Sequence, residues 1–204
     1  MSRNSLQRAY GLWAPIYNVA VRGFSGPLRQ RSLSQISATS QRILIDGIGT
    51  GLDIPYLPSH CQAVGIDLTA AMLHHAKQLQ TDFPLVQADA EALPFADASF
   101  DMVVMHLILA VVPHADQAFA EASRVLKPGG QILLIDKFLR RGQRAWIRRI
   151  LAPFSGAIAT HTDLVFEDLL ARRPELQCLS DVPGAVGGWF RLITLQKNQN
   201  TETP

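Results

Sequence analysis

Three aspartates follow short apolar runs of the chain, and they are the first candidates for a functional site. They are Asp46, Asp67 and Asp89, and Asp46 is followed by glycines at every second position from Gly47 to Gly51. Glycines in such a turn let a ligand approach backbone N–H groups at the start of a helix. The segment therefore predicts a binding turn followed by a helix, with a tight turn that binds nothing as the alternative.

Five apolar segments that alternate with helical patterns must position these aspartates. The segments predicted as strands are 43–45, 63–66, 85–86, 102–105 and 131–135. The intervening helices are predicted over 69–80, with Thr69 as its cap, and over 115–126, closed by the Lys-Pro-Gly-Gly segment 127–130. This alternation predicts a mostly parallel sheet with helices on both faces. The strand ends then meet at one edge, at the crevice where open sheets bind ligands.

The remaining segments flank this core. Apolar residues spaced at three and four predict helices over 12–22 and from Pro27 to about Ser37, and a further helix is predicted over 162–171. Two closing strands are predicted over 176–182 and 189–195.

Charge is divided unevenly along the chain, although the net charge is only +2. Residues 1–42 carry +6, residues 43–136 carry −8, residues 137–150 carry +6 and the remainder carries −2. Two basic segments that flank an acidic centre indicate an anionic partner. The second basic segment also has an apolar stripe around Trp146, which is typical of an interfacial helix. A solvated basic face is the alternative.

Composition excludes several classes of protein. A chain of 204 residues with 48% hydrophobic residues predicts one domain, divided into a helical lid (1–40), a ligand-binding core (41–136) and a substrate-side region (137–197). The two cysteines are too few and too far apart for a disulfide framework, and no metal-ligand spacing is present. We therefore expect no metal and a cytoplasmic protein that is soluble or peripheral to the membrane, since the sequence has no pattern of a signal peptide or membrane span.

The glycine turn is not the one that binds nicotinamide dinucleotides. That fingerprint requires a glycine three residues after its second glycine, and Leu52 occupies the position here. This disfavours an NAD oxidoreductase.

Five ordered motifs together resemble the class I S-adenosylmethionine-dependent methyltransferases. The motifs are Ile-Asp-Gly-Ile-Gly-Thr-Gly (45–51), Gly-Ile-Asp-Leu-Thr (65–69), Gln-Ala-Asp-Ala-Glu-Ala-Leu-Pro-Phe (87–95), Ser-Phe-Asp (99–101) and Arg-Val-Leu-Lys-Pro-Gly-Gly (124–130). The resemblance implies a Rossmann-like sheet of seven strands, the last of them antiparallel. It also implies that S-adenosylmethionine is the cofactor.

The same resemblance implies roles for individual residues. Asp46 contacts the methionine ammonium, Asp67 holds the ribose hydroxyls, and Asp89 with Ala90 meets the adenine. The cofactor-binding residues implied in all are Asp46, Gly47, Gly49, Gly51, Asp67, Leu68, Met72, Asp89 and Ala90. Two alternatives stay open: Asp67 as a helix cap, and Met72 as a core residue.

The N-terminal segment 10–18 is similar to the opening of bacterial phospholipid N-methyltransferases, Trp-Ala-Pro-x-Tyr-Asp, with Asn18 in place of the aspartate. This second resemblance implies a lipid amine, such as phosphatidylethanolamine, as the methyl acceptor. Quinone methyltransferases have a weaker form of the same opening. The alternatives are thus methylation of a quinone precursor or another hydrophobic small molecule, and a non-catalytic protein that binds S-adenosylmethionine.

Tyr17 and His106 are the candidates for catalysis. Tyr17 on the lid covers the sulfonium by a cation–π contact, or else only faces the core. His106 deprotonates an amine, or else is a neutral histidine of the pocket. As partners we expect a lipophilic or small-molecule acceptor and peripheral contact with an anionic membrane, but no nucleic acid, because no basic and aromatic platform accompanies the charge. The sequence does not predict the oligomeric state.

Overall fold

A seven-stranded sheet is the centre of the computed structural model. The structure describes residues 23, 25–36, 41–59, 61–79, 81–139, 164–185 and 189–199. The strands are β1 (Arg42–Asp46), β2 (Gln62–Asp67), β3 (Leu85–Gln87), β4 (Phe100–His106), β5 (Leu126–Lys137), β6 (Leu176–Pro183) and β7 (Phe190–Lys197). Their order across the sheet is β3-β2-β1-β4-β5-β7-β6. The pairs from β3 to β5 are parallel, and β7 is antiparallel to both of its neighbours. The predicted Rossmann-like α/β fold with an antiparallel last strand is confirmed.

The helices pack on both faces of this sheet. They are α1 (25–33), α2 (Ala70–Lys77), α3 (Ala115–Val125) and α4 (Phe166–Ala171). In β4, Val103 and Met105 belong to the apolar cluster that contains residues of α3 and α4, whereas Met102 and Val104 belong to the cluster that contains Leu33 of α1. Since successive residues of a strand point to opposite faces, a continuous apolar strand buries both of its sides.

The segment after the glycine turn differs from the prediction. Instead of an α-helix it forms a single 3-10 turn, Ile54–Tyr56. Pro55 lies in the first turn, and Pro58 lies two residues beyond Tyr56. A longer helix would therefore lack the backbone hydrogen-bond donor at Pro58 and would place that proline ring against the preceding turn. The glycine turn consequently has no α-helix N-terminus behind it.

Two helix ends also differ from the prediction. Thr69 occupies the N-cap position of α2, but its side chain makes no cap hydrogen bond. The segment 127–130 belongs to β5 rather than to a terminating loop, because β5 already begins at Leu126, which pairs with Phe100. The helix predicted over 162–171 is described only as α4. The helices predicted over 12–22 and around Trp146 lie outside the described residues.

Candidate active site

The three predicted aspartates line one cleft at the carboxyl edge of the sheet. Asp46 and Asp67 are the last residues of the paired strands β1 and β2, and Asp89 follows β3 by two residues. Parallel strands place their carboxyl ends on the same edge, and here the edge of three neighbouring strands carries one carboxylate each. The predicted juxtaposition is therefore present in the structure.

Asp46 is the most deeply buried of the three. Its residue exposure is 1%, and among the described residues neither carboxylate oxygen has a hydrogen-bond partner. Burial and the charges of Asp67, Asp89 and Glu121 raise the pKa of Asp46 to about 8. A buried polar group without a partner is costly unless a ligand supplies one. The two oxygens thus suit a ligand that brings a cation or hydrogen-bond donors.

Asp67 is held by the backbone. Its Oδ2 accepts a hydrogen bond from the amide of Gly49 at 3.0 Å, and its Oδ1 accepts one from the amide of Thr69 at 2.8 Å. Burial raises the pKa of Asp67, and the two amide hydrogen bonds oppose that rise. Each carboxylate oxygen can accept more than one bond, so a fixed Asp67 is still able to receive two hydroxyl groups.

The glycines of the turn have different surroundings. Gly47 (φ +74°) and Gly49 (φ +56°) line the cleft, whereas Gly51 (φ +88°) is not among its lining residues. A Cβ atom on Gly51 would meet Ile54 Cδ1 at 2.5 Å, so this glycine allows the turn to pack closely. The Gly49 amide is used by Asp67 rather than left for a ligand. This amide of the turn thus positions the Asp67 carboxylate.

Three apolar side chains line the cleft together with Asp89. Leu68, Met72, Asp89 and Ala90 all line it, and Met72 is 4% exposed. Met72 therefore satisfies both of its sequence interpretations, since it is buried and also faces the cleft. Asp89 Oδ1 accepts a hydrogen bond from the amide of Glu91 at 2.9 Å, which fixes the turn after β3. A flat heteroaromatic ring suits such a surface.

Segment 107–114 contributes Leu107, Ile108, Val111, Val112 and Pro113 to another wall of the cleft. This segment is held by two carboxylates. Asp136 Oδ2 accepts a hydrogen bond from the amide of Ala110 at 3.0 Å, and burial raises the pKa of Asp136 to about 6. Glu91 Oε1 accepts one from the amide of His114 at 2.7 Å. Leu107 begins this wall with a φ of +63°. An apolar residue in the left-handed region is uncommon, and it marks a wall whose backbone is fixed by its surroundings.

His106, a predicted catalytic residue, ends β4 and lines the cleft. It is 3% exposed, and its Nδ1 lies 2.7 Å from Asp53 Oδ1 while its Nε2 lies 3.0 Å from Ser32 Oγ. Burial lowers the pKa of His106 more than Asp53 raises it. The imidazole is thus neutral, and both of its nitrogens are hydrogen-bonded. Tyr17, the other predicted catalytic residue, lies outside the described residues.

Arg29, Ser32 and Asp53 are residues of the site that were not predicted from the sequence. One signal was available: Ser25, Arg29 and Ser32 are spaced at four and three in a helix that is otherwise apolar on the same side. A buried polar stripe of this kind requires polar partners. For Asp53 no local pattern points to its role, because its partners Arg29 and His106 are 24 and 53 residues away along the chain.

Substitution of Gly47 tests how closely Ile108 packs against the glycine turn. A Cβ atom on Gly47 would meet Ile108 Cδ1 at 2.4 Å, whereas one on Gly49 would meet only the Gly47 carbonyl oxygen at 4.0 Å. Both variants pay about 1–2 kcal/mol for a left-handed alanine, but only Gly47→Ala also displaces Ile108. We expect Gly47→Ala to lower the melting temperature by at least about 4 °C, at roughly 2–4 °C per kcal/mol. Gly49→Ala should have the smaller effect, and an equal loss in the two variants would contradict the close contact.

Comparisons with known proteins agree with this geometry. The family model described as a methyltransferase domain matches residues 45–134, which include all three aspartates. Over its length, the chain is 31% identical to the phosphatidylethanolamine N-methyltransferase of Cereibacter sphaeroides, in an alignment that covers 97% of this chain and 100% of that protein. The demethylmenaquinone methyltransferase of Renibacterium salmoninarum is 38% identical over 97 residues, which are 47% of this chain and 41% of that protein.

Solved structures share the fold. An S-adenosylmethionine-dependent methyltransferase from Thermotoga maritima superposes with a TM-score of 0.70 at 19% identity, covering 93% of this chain and 98% of that chain. The [4+2]-cyclase SpnF superposes with a TM-score of 0.75 at 17% identity, covering 98% of each chain. These structural likenesses concern the fold alone. The sequence likeness to the phosphatidylethanolamine N-methyltransferase, in contrast, covers the full length of that enzyme. The chain belongs to the class I S-adenosylmethionine-dependent methyltransferases and uses S-adenosylmethionine as its methyl donor.

Proposed function

We propose that this methyltransferase N-methylates a lipid amine, such as phosphatidylethanolamine, at the cytoplasmic surface of the membrane. The observation that carries the proposal is the alignment with the phosphatidylethanolamine N-methyltransferase, which covers 97% of this chain. It therefore extends beyond the cofactor-binding core into the flanking segments, where the acceptor is selected. The quinone methyltransferase of Renibacterium salmoninarum aligns with only 47% of the chain.

Charge in the flanking segments supports a lipid surface. Residues 1–42 and 137–150 each carry six basic residues and no acidic ones. Basic residues near an anionic membrane contribute about 1 kcal/mol each to binding. Within the described part of the chain, no helix is long and apolar enough to cross a bilayer. On the basis of their charge, we propose a peripheral contact made by the two basic segments.

The cleft residues fit the cofactor. Asp46 would offer two unpartnered oxygens to the methionine ammonium, Asp67 would offer acceptors to the ribose hydroxyls, and Asp89 with Ala90, beside Met72, would border the adenine. When bound, S-adenosylmethionine supplies an electrophilic methyl group on a positively charged sulfur. The protein's own contribution is then to orient the two reactants and exclude water, which accounts for much of the acceleration of a displacement.

The amine of the acceptor has to lose a proton before its nitrogen can form the new bond to carbon. His106 is neutral and could accept that proton only at Nε2, because Nδ1 carries hydrogen toward Asp53. Nε2 faces Ser32 at 3.0 Å, so the transfer would require this hydrogen bond to open. The role of His106 as a base stays a prediction, as does the cation–π role of Tyr17.

Labelled S-adenosylmethionine and mixed liposomes test the proposed acceptor. We expect label to appear in phosphatidylethanolamine in vesicles that also contain anionic lipid. Label only in an added quinone precursor would favour quinone methylation and contradict the proposal. Cofactor binding without transfer to either acceptor would indicate a non-catalytic binding protein.

Replacement of Arg144, Arg148 and Arg149 by Gln should weaken vesicle binding without changing cofactor affinity, and unchanged vesicle binding would contradict the peripheral contact.

A further inference from the structure

Glu91 is a buried carboxylate of the cleft that makes two hydrogen bonds to one residue, His114. Its side chain is 2% exposed, and it is one of the residues that line the cleft. Oε1 accepts a hydrogen bond from the backbone amide of His114 at 2.7 Å, and Oε2 lies 3.0 Å from Nδ1 of the imidazole. An ionised carboxylate only accepts hydrogen bonds, so Nδ1 carries the hydrogen of the second bond. We call this pair of residues the wall clamp.

A buried carboxylate at this position requires an explanation. An apolar side chain would fill the same space without the cost of removing a charge from water. The imidazole that Glu91 binds is 62% exposed, so the contact buries little apolar surface. What Glu91 contributes is therefore its pair of hydrogen bonds to His114.

The wall segment, residues 107–114, has two halves that differ in burial. Residues 108–110 are buried, whereas residues 111–113 are half-buried and His114 is exposed. Burial of apolar surface stabilises a segment roughly in proportion to the area that is buried. Apolar contacts therefore fix the second half, 111–114, less firmly than the first.

Strand β5 anchors the first half of the wall segment. The carbonyl oxygen of Ile135 accepts a hydrogen bond from the amide of Leu107 at 2.7 Å, and Asp136 accepts one from the amide of Ala110 at 3.0 Å. In the second half, two amides donate to the carbonyl oxygen of Ile108 at 3.0 and 3.1 Å, which is a contact within the segment. The wall clamp attaches this second half to another part of the cleft.

The turn after β3 provides the other side of the wall clamp. The amide of Glu91 donates to Asp89 Oδ1 at 2.9 Å, and both residues line the cleft. Further along the chain, the amide of Leu93 donates to Glu121 Oε2 of α3 at 2.8 Å. The turn is thus attached to α3 independently of the clamp. Loss of the clamp would consequently release the second half of the wall segment rather than the turn.

We propose that Glu91 is a positioning residue that sets the rate at which the cofactor and its product leave the cleft. Through the wall clamp it holds Val111, Val112 and Pro113, which all line the cleft, against the bound ligand. Two sites that share a structural element typically change each other's equilibrium by about 5- to 150-fold. The proposal rests on the methyltransferase assignment and not on the identity of the acceptor.

Dissociation of S-adenosylhomocysteine, followed by surface plasmon resonance, tests the wall clamp. Glu91→Ala removes both hydrogen bonds, and we expect it to raise the dissociation rate constant by about 5- to 50-fold while the association rate constant changes little. Glu175→Ala is the matched control, because Glu175 accepts a hydrogen bond from Ser123 Oγ of α3 at 2.7 Å and is not among the described lining residues. It should leave both rate constants unchanged. An unchanged dissociation rate in Glu91→Ala would overturn the proposal.

Glu91→Gln separates hydrogen bonding from charge. A glutamine can accept from the His114 amide through its oxygen and donate to Nδ1 in the other imidazole tautomer, so it keeps the clamp without the charge. We expect its dissociation rate to stay close to that of the unaltered protein. A rate as high as in Glu91→Ala would mean that Glu91 acts by attracting the ligand's ammonium, and would overturn the positioning role.

His114→Ala tests the clamp from the other side and serves if Glu91→Ala does not fold. It loses the imidazole hydrogen bond but keeps the backbone amide that Glu91 Oε1 binds. We expect a dissociation rate between those of the unaltered protein and Glu91→Ala. A folded His114→Ala protein with the rate of the unaltered protein would contradict the proposal.

Hydrogen exchange gives a readout that a general loss of stability does not reproduce. Because coupling is reciprocal, S-adenosylhomocysteine should slow exchange at the amides of Val111, Val112 and His114 in the unaltered protein. In Glu91→Ala these amides should exchange faster and lose most of that protection, while the amides of residues 103–105 in β4 should not change. Equally faster exchange in β4 would indicate destabilisation of the whole fold and would overturn the proposal.

These measurements separate the two proposals, because none of them contains a methyl acceptor. A protein that methylates phosphatidylethanolamine, but whose Glu91→Ala variant releases S-adenosylhomocysteine at an unchanged rate, would overturn this inference alone. A protein that fails to methylate the lipid, but shows the expected dissociation rates, would overturn the proposed acceptor alone.

Discussion

Binding of S-adenosylhomocysteine should tighten steeply as the pH rises from about 6 to about 8. Asp46 has a pKa of about 8, raised by burial and by the charges of neighbouring carboxylates. Below that value its carboxyl is mostly protonated, whereas the ammonium of the ligand is proposed to bind the ionised form. Binding must therefore release a proton, and the affinity should change by up to about tenfold per pH unit. The increase should stop near pH 8 and reverse where the ligand's own amine loses its proton.

Calorimetry in two buffers of different ionisation enthalpy measures the released proton directly. At pH 7 we expect the unaltered protein to release close to one proton for each ligand bound. Asp46→Asn has no carboxyl to ionise, so it should bind weakly with little pH dependence and should release no proton in this range. A variant that retained the pH slope of the unaltered protein would show that another group titrates.

The same substitution should have the opposite effect on stability. A pKa that is higher in the folded protein than in the unfolded chain means that folding favours the protonated group, so stability is lost as the pH rises through about 8. Asp46→Asn removes that loss. We expect its melting temperature to exceed that of the unaltered protein at pH 9, although its affinity is lower. A lower melting temperature at pH 9 would indicate that Asp46 has a stabilising partner in the fold.

Much of the sheet could be predicted because a local apolar pattern in the sequence indicates each of its strands. Each of the five parallel strands is a short apolar run, and an aspartate after the first three marks where the strands end. Parallel pairing then brings those ends together without further information. The cleft with Asp46, Asp67 and Asp89 was accordingly expected from the spacing of the motifs and is present in the structure.

The parts that could not be predicted depend on contacts between distant segments or on competing local effects. A chain of hydrogen bonds joins Arg29 and Ser32 of α1 to Asp53 and to His106, and no periodicity relates residues so far apart in sequence. The helix expected after the glycine turn failed for a local reason, since prolines at 55 and 58 prevent it.

Segment 127–130 shows how pairing across a sheet can place a helix terminator inside a strand. Lys-Pro-Gly-Gly at 127–130 is a good terminator, and the helix does end at Val125. The terminator nevertheless belongs to β5, because Leu126 pairs with Phe100 before a register shift in which residues 127–130 of β5 lie between the paired residues Leu126 and Gln131. Gly130 permits this course, since a Cβ atom there would meet the Asp101 carbonyl oxygen at 2.8 Å. Pairing across a sheet is not visible in the sequence of either strand.

Asp67→Ala is expected to cause the largest loss of cofactor affinity that a single residue can produce at the ribose. Asp67 is the last residue of β2, faces the cleft and is proposed to accept both ribose hydroxyls. Hydrogen bonds to a charged group are worth about 1.5–3 kcal/mol each. Loss of two such bonds predicts a dissociation constant for S-adenosylhomocysteine that is at least about 100-fold higher, measured by calorimetry at constant pH.

Part of that loss comes from the protein rather than from the ribose. Asp67 also accepts hydrogen bonds from the amides of Gly49 and Thr69, so alanine leaves two backbone donors near the cleft without this acceptor. Asp67→Asn separates the two effects, because its amide keeps one oxygen acceptor of similar shape but no charge. The 2′-deoxy form of S-adenosylhomocysteine completes a double-mutant cycle. If Asp67 binds the 2′-hydroxyl, removal of that hydroxyl should weaken binding to the unaltered protein and scarcely affect Asp67→Ala. Equal losses in both proteins would mean that Asp67 acts only by shaping the glycine turn.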